Sequence, residues 1–271
     1  MLADMTTRLA VLGNGNMGWN VLLGALDAKV LESDEVVVVE SNPLRADLAA
    51  ARGIRIVNAH EALEAEHLFL AVKPQSFQAL AREMGPFSDR RVVISVMAGI
   101  RSASIRNALG EHAAVVRVMP NTPARLRAGV SAICAGDGAQ PEDLAFPHQL
   151  MSSVGSVVEV TENHMYAVTA TSGSGPAFVL RMAEVMEAAA IKEGLDHEVA
   201  RTLVQKTILG AGRLMLETGE EPSELREAVT SKGGTTAAGL DAMTEHGFDE
   251  AVTAAIRAAT ERGLELDREH G

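Results

Sequence analysis

With 271 residues the chain is long enough for two modest domains, each with its own core. A formal net charge of −12 and the absence of any clustered Lys/Arg run argue against nucleic acid or anionic membrane as the main partner. Apolar residues make up 47% and aromatic ones only 3%, so the core must come from Ala, Val, Leu, Ile and Met. The single cysteine, Cys134, excludes an intramolecular disulfide and a CxxC metal knuckle. Eight scattered His with no HExxH spacing leave no zinc site, so no metal is expected. Residues 1–8 hold no apolar leader core and no apolar run is long enough to span a bilayer, so a cytoplasmic protein is expected.

Residues 8–12 form a short apolar strand followed at once by Gly13-Asn14-Gly15-Asn16-Met17-Gly18 and a helix over about 17–28. A GxGxxG between strand and helix is a dinucleotide-binding signature. Gly13 permits the tight turn, Gly15 lets a pyrophosphate approach the backbone, and Gly18 lets the helix pack close to the strand. The helix N-terminus then turns free N–H groups toward the phosphates. A second strand over 35–39 ends at Glu40-Ser41-Asn42-Pro43. An acid at this point accepts hydrogen bonds from the adenosine ribose and favours NADH. Ser41, Asn42 and Arg45 favour a phosphate instead, with Glu40 turned away. The sequence leaves both readings open, and a lone Arg45 also suits a solvated helix face.

Strands over 67–72, 91–96 and 114–118 follow in βαβ order. They end in Lys73-Pro74-Gln75, Met97-Ala98-Gly99 and Met119-Pro120-Asn121-Thr122-Pro123, at the carboxyl edge where open α/β sheets bind ligands. Lys73, fixed by Pro74, reads as a loop that shapes the cofactor site rather than as an acid–base group. Residues 129–135 and 156–160 read as two more strands with a helix over about 141–151 between them. Ser172-Gly173-Ser174-Gly175-Pro176-Ala177-Phe178 then marks a change of architecture, a turn feeding a helix with Pro at its first position.

From there the pattern is all-helical, with helices over 162–171, 177–193, 196–218, 237–245 and 249–266. The second carries Phe178, Met182, Val185, Met186, Ala189 and Ile191 on more than one face, which predicts burial against another subunit. Val229-Thr230-Ser231-Lys232-Gly233-Gly234-Thr235-Thr236 opens a helix with glycine amides and hydroxyls suited to a carboxylate. Alone, it also fits an ordinary capped helix start. The fold class is an α/β Rossmann-type N-terminal domain over 1–160, followed by an all-α dimerisation and substrate domain over 161–271.

Over nearly its whole length the chain resembles the pyrroline-5-carboxylate reductase family. The most specific blocks are Ala71-Val72-Lys73-Pro74-Gln75, Met119 to Pro123, Ser172 to Phe178 and Val229 to Thr236. The resemblance implies NADPH as cofactor, with NADH as the alternative, an interlocked homodimer or larger assembly, and pyrroline-5-carboxylate as substrate. It implies that Gly13, Asn14, Gly15, Asn16, Met17 and Gly18 bind the pyrophosphate, with Ser41 and Asn42 near the adenosine ribose or its phosphate. Asn58 falls on the adenosine side; Ala71, Val72, Lys73, Pro74, Met97, Ala98, Gly99 and Asn121 line the cofactor. Glu162 matches an acid placed near it. Ser231, Gly233, Gly234, Thr235 and Thr236 would hold the substrate, the Thr236 hydroxyl meeting the ring nitrogen. The chain departs from the family pattern at Trp19-Asn20, at His67 and Tyr166 where Asp is frequent, and at Lys232 where many relatives have Pro.

The reaction implied is hydride transfer to the C=N carbon of the ring, giving L-proline, with positioning supplying most of the rate. A β-hydroxyacid dehydrogenase has the same two-domain plan but needs a lysine on its interdomain helix, and no lysine lies between Lys73 and Lys192. A non-catalytic dinucleotide sensor has no need of the Gly233 to Thr236 loop.

Overall fold

The computed structural model describes residues 7–270. Of the leader reading over residues 1–8, the first six lie outside them. Elements alternate at first: β1 (Leu9–Leu12), α1 (Asn16–Asp27), β2 (Val36–Val39), α2 (Pro43–Ala50), β3 (Arg55–Ile56), β4 (His67–Leu70), α3 (Pro74–Met84), β5 (Arg91–Ser95), α4 (Ser102–Leu109) and β6 (Ala113–Met119). Then come β7 (Gly129–Ala135), α5 (Ala145–Ser152), β8 (Gly155–Glu159) and the short α6 (Met165–Val168). The rest is helical: α7 (Gly175–Lys192), α8 (His197–Thr218), α9 (Pro222–Ala228), α10 (Thr235–Glu245) and α11 (Phe248–His270).

The eight strands form one sheet in the order β3-β2-β1-β4-β5-β6-β7-β8. Every pairing is parallel except β6 with β7. A parallel sheet is covered on both faces, which is why Leu9 to Leu12 reads as an unbroken apolar run and is buried throughout. Alternate residues feed opposite layers. Ala10, Leu12, Leu68, Leu70 and Val93 meet Phe77 and Leu80 of α3 and Ile105 of α4. Leu9, Val11, Val36, Phe69 and Ile94 meet Val21 and Leu22 of α1 and Leu150 of α5. Strand order reverses at β1, whose neighbours are β2 and β4, so a crevice opens beyond the carboxyl ends of β1 and β4.

The expected single helix over 162–171 is broken. A 3₁₀ turn (Glu162–His164) leads into α6 and then into a π-helical turn (Thr169–Gly173). The Thr169 and Ser172 hydroxyls donate to the carbonyls of Met165 and Val168 at 2.7 and 3.0 Å, while the Ser174 amide reaches back to the Thr169 carbonyl at 2.8 Å. Hydroxyls that bond back along a helix weaken and bend it. The small-residue segment is therefore helical itself, and α7 starts at Gly175, one residue before Pro176. Two elements, β3 and α9, carry too little periodicity to be read from the sequence.

By compactness the chain forms two units, residues 7–174 with 258–270, and Gly175–Arg257. Within the second, α7 packs on α8 and Gly194 makes the break between them at φ 98°. None of the residues of α7 is buried. Phe178, Met182, Val185, Met186 and Ile191 stay between 37 and 52% exposed, an apolar surface one chain leaves uncovered. Among the described residues no helix is long and apolar enough to cross a membrane.

Candidate active site

The glycine turn is built by close backbone approach. Gly13 has φ 97°, and a Cβ there would lie 2.8 Å from the Val72 nitrogen and 2.9 Å from the Ala71 carbonyl. A Cβ on Gly18 would lie 2.4 Å from the Gly13 oxygen. The turn after β1 is thus seated on the turn after β4, at the switch point of the sheet. Gly15 caps α1 without any side-chain hydrogen bond and no acid stands in the first turn, so the amides of Asn16, Met17 and Gly18 have no intrahelical acceptor. The missing side chain of Gly15 leaves an open face, with Arg45 Nη1 3.6 Å from where its Cβ would be. The buried Asn14 Oδ1 has no donor in the protein. This cradle fits a dinucleotide: the closest backbone approaches are made by glycines, and the unpaired amides face an accessible edge.

After β2, the structure resolves what Glu40 does. Its Oε2 accepts the Asn14 amide and its Oε1 the Asn42 amide, both at 2.8 Å. The carboxylate braces the two loops against each other. Asn14 adds a second strut, Nδ2 donating to the Arg45 carbonyl at 3.0 Å. Asn42 caps α2, its Oδ1 accepting the Arg45 amide at 3.3 Å. Ser41, Asn42 and Arg45 remain exposed on the outer side. Asn58 is exposed too, its Oδ1 accepting the amides of His60 and Glu61 at 2.9 Å.

Lys73 and Pro74 begin α3, with Pro74 as its first residue and Lys73 exposed. After β5, the Met97 amide donates to Ser95 Oγ at 3.3 Å and the Met97 side chain sits in the core. Gly99 takes φ 70°. Asn121 is buried with its Oδ1 on the Val130 amide at 3.0 Å, which secures the start of β7. His67 stacks on Phe146 at the amino end of β4, the opposite end of the strand from this crevice. Burial lowers its pKa, although the Arg8 carbonyl opposes the shift.

Glu162 belongs to a polar cluster that includes residues the sequence reading passed over. Its Oε1 accepts the Ser102 amide at 2.9 Å and Arg117 Nη1 at 3.0 Å, and its Oε2 accepts the Ser102 hydroxyl at 2.6 Å. Burial works against its charge, but these donors carry its pKa below the ordinary carboxylate value. Glu162 therefore caps α4. Arg117 could have been found, since a charge inside the apolar run of β6 needs a partner when buried.

The segment from Val229 to Thr236 lies in the second unit. Gly233 adopts φ 70°, and the Gly234 amide closes on the Ser231 carbonyl at 3.0 Å. A Cβ on Gly234 would lie 2.3 Å from Ser231 Oγ. Gly234 is the N-cap of α10 with no side-chain cap and no acid in the first turn. Helix geometry leaves the amides of Thr235, Thr236 and Ala237 without intrahelical acceptors. The Gly234 amide is thus not one of the free donors expected there; those of Thr235 and Thr236 are, and Ala237 adds a third.

Comparison with known proteins agrees with both halves. Residues 162–266 match the family model described as pyrroline-5-carboxylate reductase dimerisation, and residues 8–99 match that for NADP oxidoreductase, coenzyme F420-dependent. A pyrroline-5-carboxylate reductase of Synechocystis sp. is 38% identical over 97% of this chain and 100% of its own length. The structure of a pyrroline-5-carboxylate reductase from Coxiella burnetii superposes with a TM-score of 0.90 at 30% identity, covering 96% of this chain and 98% of that one. That of Plasmodium falciparum pyrroline carboxylate reductase with NADP bound gives 0.85 at 25% identity over 97 and 99%. The chain belongs to the pyrroline-5-carboxylate reductase family.

Proposed function

We propose that this chain reduces the C=N bond of L-1-pyrroline-5-carboxylate to L-proline with NADPH. The observation that carries the substrate half is the start of α10, where a glycine-built turn leaves three successive amides free and no acid beside them. Those of Thr235, Thr236 and Ala237 hold the substrate carboxylate, Gly233 and Gly234 shape the turn, and the Ser231 and Thr236 hydroxyls are further donors. The Thr236 hydroxyl meets the ring nitrogen and favours the protonated imine. The reduced nicotinamide supplies the hydride when bound.

The glycine turn, Ala71 to Pro74, Met97 to Gly99 and Asn121 hold the cofactor, with Asn58 on its adenosine side. Glu162 acts through Ser102 by fixing the start of α4. NADPH is preferred because both Glu40 oxygens already accept backbone amides, which leaves Ser41, Asn42 and the exposed Arg45 to meet a 2′-phosphate. The apolar surface of α7 supports a homodimer formed through the helical part. A functional division into residues 1–160 and 161–271 is supported by the dimerisation match starting at 162. A lone thiol suits a reducing cytoplasm.

The test is oxidation of NADPH and NADH with and without pyrroline-5-carboxylate. Substrate-dependent turnover, faster with NADPH, is expected. Thr236→Ala should lower kcat by about 10²-fold with cofactor affinity retained. Cofactor binding without imine turnover defeats the reading.

A further inference from the structure

The turn at residues 97–101 is held from behind by the end of the chain. A Cβ on Gly99 would lie 2.9 Å from the Leu266 Cβ, so the last turns of α11 lie directly against it. Arg101, the residue before α4, donates from Nε to Asp267 Oδ2 at 2.5 Å and to Tyr166 Oη at 3.2 Å. Its guanidinium stands 5.7 Å from the Tyr166 ring centre, and Arg117 stands 5.8 Å from the same ring. A Cβ on Gly263 would lie 3.1 Å from the ring, so α11 backs Tyr166 as well as Gly99. Asp267 is 7% exposed, yet its Oδ1 has no partner. An unpaired buried carboxylate oxygen is costly and calls for a reason.

We propose that Asp267 is a positioning residue for the cofactor site. Through Arg101 it sets the path of the Met97-Ala98-Gly99 turn, and α11 thereby tunes affinity for the reduced dinucleotide from outside the site. This rests on the reading that the turn lines the cofactor. It assigns a functional role to Tyr166, which replaces a frequent Asp, because its ring faces the guanidiniums of both Arg101 and Arg117 while its hydroxyl accepts from Arg101.

The test measures NADPH affinity by fluorescence, without substrate, alongside thermal unfolding, for wild type, Asp267→Asn, Asp267→Ala and Arg262→Ala. Arg262 pairs with Glu265 and Glu269 on the exposed side of the same helix and controls for general loss of helix stability. The Asp267 variants should weaken NADPH binding by about three- to tenfold, and Arg262→Ala should not. Should Asp267→Ala fail to fold, the near-isosteric Asn variant decides. Lowered Tm with unchanged affinity would make Asp267 merely structural and overturn the proposal. Failure of the wild type to bind NADPH would instead defeat the functional reading on which it rests.

Discussion

The two parts of this chain differ in how far each closes on itself. The sheet buries the apolar residues of its central strands in two layers, one on each face, and Arg117 of β6 is buried on the partly buried Glu162. The helical part has the same kind of residues and leaves them exposed, from Phe178 through Val185 to Leu216. An α/β unit with a parallel sheet supplies its own cover on both faces. Helices that are apolar on more than one side need a surface from elsewhere. The contrast shows which part is a self-sufficient fold and which is an interface.

The most damaging test of that contrast is a charge on α7. Val185→Asp should abolish the dimer by sedimentation, because a buried unpaired charge costs about 3–5 kcal/mol. Persistence of the dimer would place the interface elsewhere. Next in size is a pair of glycine substitutions that compares the two sites. Gly13→Ala meets backbone atoms of the turn after β4 at a positive φ, so destabilisation of about 1–3 kcal/mol and loss of NADPH binding are expected. Gly234→Ala meets chiefly Ser231 Oγ, which can rotate away, and approaches the Ser231 carbonyl oxygen less closely, at 3.1 Å. It should raise KM for the imine acid while leaving Tm and NADPH affinity near wild type.

A smaller effect is expected at the adenosine end. Arg45→Ala should reduce the NADPH preference over NADH by about tenfold, since charge-assisted hydrogen bonds contribute about 1.5–3 kcal/mol at most. An unchanged preference would remove Arg45 from the site.

The smallest is a pH effect at Glu162. Its pKa is lower when folded, so its contribution to stability is complete above the ordinary value of 4.5 and is lost as pH falls through the folded value. The Tm gap between wild type and Glu162→Gln should be full at neutral pH and shrink below about 4.5. A gap that persists into acid would mean the hydrogen bonds do not depend on the charge.

Much of this was legible in the residues themselves. A strand, GxGxxG and helix follow one another within a few residues, so Gly13, Gly15 and Gly18 declare their roles locally. The same holds for Gly233-Gly234 before α10. The α7 pattern declared a hidden face and pointed to another subunit as its cover. The interruption at 169–173 was not legible, because Thr169 and Ser172 read equally well in a plain helix until their hydroxyls are seen bonding backward.

What the tertiary structure alone decided are the partners far apart in sequence. Glu40 had two plausible roles, and its choice depends on where the Asn14 amide lies, 26 residues away. Arg101 and Asp267 are 166 residues apart, and no local pattern links them. The sequence by itself determined the turns, caps and apolar faces, since these follow from backbone sterics and spacing within a few residues. The fold decided which polar groups satisfy one another, because buried donors and acceptors pair with whatever the chain's closure brings within reach.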